Sequence, residues 1–176
     1  YTGVIRHSTQ ASEAGCTPSH PQFVKGKAGS PYAICDYYDV NAYLADNAED
    51  RILECEQLIK RTHDAGLKMI IDFVPNHVAR DYGKVDMTPG HPVLGAEDDR
   101  SVHWREENDF IYYPGEALRL PTESPKGMKP YYEMPAMATG NNCYTPAPGI
   151  NDWFETVKIN YCDHHTSTWD KMYDII

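Results

Sequence analysis

Apolar positions along this chain change their spacing three times. Between residues 46 and 66 they recur at helical intervals: Ile52, Cys55, Leu58, Ile59 and Thr62 share one face, Asp46 and Glu49 stand ahead of it at capping-box spacing, and Gly66 follows it. This predicts an amphipathic helix that Gly66 ends by accepting a left-handed backbone. Residues 67–74 form a near-continuous apolar run of strand length, which predicts a strand covered on both faces in a parallel sheet. With a further strand predicted over residues 1–5, the order becomes that of a βαβ unit and the class α/β.

Residues 6–31 carry Ser, Thr, Gly, Pro and His without a sustained period and predict a long loop. From residue 78 to about 162 prolines, glycines and aromatics dominate, with short candidate strands at 110–113 and 156–161. A structureless loop of that length inside a compact domain would be abnormal, so the stretch reads as an inserted, irregular, β-containing subdomain. Near the C-terminus Thr166, Ser167 or Thr168 can cap a helix whose apolar face is Trp169, Met172, Tyr173 and Ile176. That stripe expects a cover, and residues 1–5 begin like a strand already under way; both ends are expected to be cuts through a larger protein.

The chain has 176 residues and a formal charge of −10, the wrong sign for nucleic acid or an anionic bilayer. Neither is an expected partner. The longest apolar run, residues 69–74, is interrupted by Asp72, and no targeting segment opens the chain, which reads as soluble. Five cysteines at irregular spacing, without a C-x-x-C, are expected to be mostly reduced packing residues, with a Cys16–Cys35 bridge kept open.

Function is expected where the predicted strand ends, because the carboxyl ends of parallel strands form the active face of such sheets. Asp72, Asn76 and His77 stand there. Without its flanks, D-x-V-x-N-H suits a loop cap and a satisfied histidine equally well.

With its flanks, Ala65-Gly-Leu-Lys-Met-Ile-Ile-Asp-Phe-Val-Pro-Asn-His77 resembles the first signature region of the α-amylase superfamily, glycoside hydrolase family 13. That region reads Gly-Leu-Lys/Arg-x-x-x-Asp-x-Val-x-Asn-His at the third strand of a (β/α)8 TIM barrel. Gly29-Ser-Pro-Tyr-Ala-Ile-Cys-Asp-Tyr-Tyr-Asp-Val-Asn41 is similar to the family's loop after strand two, and Val157-Lys-Ile-Asn-Tyr161 to its short region near the end of domain B. The resemblance implies part of the barrel over residues 1–80, domain B over 81–162, and a loop with the start of barrel helix three over 163–176.

It also implies roles. His77 would hydrogen-bond sugar hydroxyls beside the scissile bond, Tyr32 would offer its ring as a platform for that sugar, and Asp72 would hold the active-site floor. Asn76 would offer an amide oxygen to a structural calcium. The substrate would be an α-glucan or oligosaccharide, and the remainder of the parent barrel would be the structural partner. Three departures stand out: Ala33 replaces the Asp that often follows the platform Tyr, Lys158 stands where an acid helps bind calcium, and Thr2 is followed by Gly3 instead of Pro.

Retaining glycosidases need a nucleophilic carboxylate and a carboxylic acid about 5–5.5 Å apart. In the family these lie on strands four, five and seven, so the resemblance puts them beyond Ile176 and implies that the segment alone is inactive. Asp98–Asp99 and Glu106–Glu107 read as solvated surface, and His164–His165 as exposed loop. The aromatics Trp104, Tyr112, Tyr113, Tyr131, Tyr132, Tyr144, Trp153 and Phe154 divide between a subdomain core, the commoner fate, and a sugar groove. A transglycosylase or isomerase of the same family, or a non-catalytic sugar-binding relative, are the rival readings.

Overall fold

A computed structural model describes residues 1–12, 14–84 and 86–176. Strand β1 (Ile5–His7) pairs antiparallel with β2 (Ile34–Val40), and α1 (Arg51–Asp64) follows two short 3-10 turns. Strand β3 (His77–Ala79) pairs antiparallel with the much later β6 (Thr156–Lys158), β4 (Tyr112–Tyr113) pairs with β5 (Ala136–Met137), and α2 (Ser167–Ile175) comes last. Single bridges, Phe110 to Ile159 and Thr139 to Val157, tie the β4–β5 ladder to β6.

The helix predicted ahead of Gly66 forms, and Gly66 ends it at φ +75°. The Leu67 N–H reaches the Thr62 carbonyl and the Gly66 N–H reaches His63, the paired bonds of a Schellman ending. Its start differs from the predicted capping box. A 3-10 turn (Ala48–Asp50) precedes the helix, Asn47 accepts from the Glu49 N–H, and the Glu54 carboxylate reaches back to the N–H groups of Asp46 and Asn47 at 2.8 Å each. Local acceptors thus satisfy the same orphan donors from other positions.

Two strand expectations need correction. Residues 67–74 are extended but are not a doubly covered strand: Leu67 is 64% and Ile70 78% exposed, and Asp72 is exposed with them. The reason lies in pairing. Among the described residues its strand-like pairing is with Tyr1, which donates to Ile70 O and accepts from the Asp72 N–H, both at 2.8 Å, the two slanted bonds of a parallel bridge, while Val74 O takes a side chain, the Tyr37 hydroxyl, at 2.7 Å. Residues 1–5 accordingly start in parallel register with 70–72, but the assigned strand β1 begins at Ile5 and turns to β2. Between them Gly3 holds φ +71°, closed to proline, whose ring fixes φ near −65°.

No closed barrel forms among the described residues, and α1 buries none of its side chains. The largest core lies elsewhere: Val78, Tyr82, Leu94, Phe110, Tyr112, Met137, Val157, Ile159 and Met172 pack together. Met172 and the fully buried Thr168 face this core from α2, so the buried stripe of α2 is rotated from the one predicted, and Tyr173 and Ile176 remain exposed. Asp109 sets that rotation, taking the Thr168 hydroxyl at 2.7 Å and the Lys171 ammonium at 2.6 Å. Thr166 is the cap residue by position, without a side-chain cap bond.

Asp98 also departs from expectation. It is partly buried and accepts from the Asp109 and Phe110 N–H groups and from the Tyr112 hydroxyl, so it closes a loop of the subdomain instead of lying in solvent. Burial pushes its carboxyl above the ordinary range. All five cysteines are free thiols, Cys16 and Cys35 among them.

Candidate active-site face

His77 opens β3 opposite Lys158 of β6 and is 6% exposed. Its Nε2 lies 3.1 Å from the carbonyl oxygen of Tyr32, at the end of the loop that leads into β2. A carbonyl only accepts, so this bond puts the proton on Nε2 and leaves Nδ1 as the acceptor of a neutral ring. Burial pushes the imidazole below the ordinary histidine range, against the bond to Tyr32, and the nearby Lys158 charge adds to that.

Tyr32 is 38% exposed, while Ala33 beside it in sequence is fully buried. Asp72 accepts from the Thr2 hydroxyl at 3.0 Å. The structure thus joins His77 to Tyr32 across 45 residues and Asp72 to Thr2 across 70, while no hydrogen bond among the described residues joins Asp72 to His77 or Tyr32.

Other residues complete the surroundings of His77 without having been assigned to it from sequence. The rings of His77 and Trp153 meet edge to face, centroids 4.4 Å apart at 64°. Gly140 lies so close that a Cβ built on it would fall 2.8 Å from His77 Cβ. Trp153 carried one sequence signal, an aromatic just ahead of a candidate strand; Gly140 carried none beyond its residue type.

A family model of the alpha-amylase catalytic domain matches residues 19–131, from the loop before β2 to the segment ahead of β5. The chain belongs to the alpha-amylase family. Membership supports a glycosidase-type function, and the matched span contains Tyr32, Asp72, Asn76 and His77. No curated protein and no solved structure matches the chain. Among the described residues no helix is long and apolar enough to cross a membrane.

The donor set near Asn76 does not make a calcium cage. Asn76 is exposed, its backbone carbonyl is taken by the Ile159 N–H, and the ladder partner of neighbouring His77 is Lys158, whose ammonium opposes a cation. Among the described residues no three His, Cys, Asp or Glu side chains are grouped to hold a metal.

Proposed function

We propose that this chain supplies the sugar-holding side of a retaining α-glycosidase active site acting on α-glucans or malto-oligosaccharides. The observation that carries the reading is the bond from His77 to the Tyr32 carbonyl, because it brings together two motifs that the family uses on one sugar. The exposed part of the Tyr32 ring offers an apolar face to a pyranose, and the neutral His77 ring offers a compact hydrogen-bond partner to its hydroxyls.

These residues bind and orient; they do not attack. Double displacement takes its nucleophile and its acid from a pair of carboxyls about 5–5.5 Å apart, which the reading assigns to later barrel strands. Asp72, tethered to Thr2, acts as a fixed negative floor beneath the site. The contribution of His77 and Tyr32 is to hold the sugar so that its anomeric carbon meets those carboxyls in a reactive geometry. The test is hydrolysis of a malto-oligosaccharide by the full-length protein, wild type against His77→Ala.

A further inference from the structure

We infer that Trp153 is a positioning residue for His77, fixing the plane of the imidazole. The inference rests on the reading of His77 as a sugar contact. Two ring torsions orient a histidine, and one hydrogen bond, here to Tyr32, leaves the ring free to tilt about it. The edge-to-face contact with Trp153 at 4.4 Å removes that freedom.

Trp153 is itself held. Its Nε1–H donates to Glu155 Oε2 at 3.1 Å, and the other oxygen of that carboxylate takes the Lys25 N–H at 2.5 Å. Glu155 is 4% exposed, so the carboxylate that accepts both bonds is itself buried. Phe154, between them in sequence, is locked into a core with Phe23 and Val24. Here a half-buried indole is gripped by a buried carboxylate and turned against the one histidine that the family motif places at the sugar.

The experiment compares Trp153→Leu, which keeps apolar bulk, with Trp153→Phe, which keeps a ring against His77, in the full-length protein. Both are first matched by thermal melting. Trp153→Leu is expected to raise KM for a malto-oligosaccharide about tenfold with kcat within about twofold, and Trp153→Phe to restore most of the loss. Wild-type KM in Trp153→Leu, alongside a raised KM in His77→Ala, overturns the positioning role alone. Unchanged kinetics in His77→Ala overturn the sugar-contact reading and the inference with it. If Trp153→Leu fails to fold, Trp153→Phe against Glu155→Gln carries the test: Gln cannot accept from both N–H donors, so a raised KM supports the role and a wild-type KM overturns it.

Discussion

The guanidinium of Arg80 and the carboxylate of Glu133 meet at 2.5 Å with their side chains 0% and 5% exposed, one step along the chain from the strand that carries His77. Each partner is otherwise satisfied: Arg80 donates to the carbonyls of Phe154 and Thr156, and Glu133 accepts from the Met137 N–H and the Tyr131 hydroxyl. The pair ties β3, β6 and the segment leading into β5 to one centre. Removing one member leaves a buried charge without compensation, so Glu133→Ala is expected to lower stability by about 3–5 kcal/mol. Urea unfolding reads this, and a loss below about 1 kcal/mol would show that water or another group replaces the carboxylate.

Gly140 is a steric requirement of the His77 neighbourhood. A Cβ there would lie 2.3 Å from Thr156 Oγ1 and 2.8 Å from His77 Cβ. Gly140→Ala is expected to cost about 1–3 kcal/mol and to weaken sugar binding, as overpacking does. Gly149→Ala is the control, since its Cβ would meet only Asp152 Oδ2 at 3.5 Å; it is expected to stay within about 0.5 kcal/mol of wild type. Equal melting of the two variants would contradict the packing described.

Asp109 docks α2 from inside the core, holding Thr168, Lys171 and the Gly95 N–H. Asp109→Ala is expected to release α2, seen as faster amide exchange over residues 167–175 with slower change in β3 and β6. Uniform protection loss would mean that the helix and the core open as one unit.

Burial holds the His7 imidazole below the ordinary histidine range, as it does His77. The unfolded chain therefore binds more protons than the folded one once pH falls below about 6.5. The stability from the neutral rings is complete above that value and is lost as pH falls toward the lower folded values. His7→Gln should flatten the decline in unfolding free energy between pH 7 and 5, and an unchanged slope would contradict the assignment.

The parts legible in the sequence are those whose physics is local. Apolar spacing and Gly66 gave helix α1 and its ending, because a left-handed residue after a 3.6-residue period has few other uses. The motif from Gly66 to His77 marked the family, since it carries chemistry as well as spacing. What could not be read depends on partners far along the chain. Residues 67–74 have strand composition, but a strand needs a ladder of backbone neighbours, and among the described residues Tyr1 supplies a single bridge, at Ile70 and Asp72. Asp98 has the composition of surface, but three donors between residues 109 and 112 turn it inward. Trp153 reaches His77 only because β6 returns antiparallel to β3 across the whole subdomain.

The proposed binding of sugar by the His77–Tyr32 face of a retaining α-glycosidase can be read from the anomeric configuration of fresh product, followed by proton NMR as the full-length protein acts on a malto-oligosaccharide, with wild type and His77→Ala side by side. The α-anomer is expected to form first, and His77→Ala to lower kcat/KM by about 100-fold while the protein stays folded. Wild-type turnover by His77→Ala, or product released first as the β-anomer, would contradict the proposal.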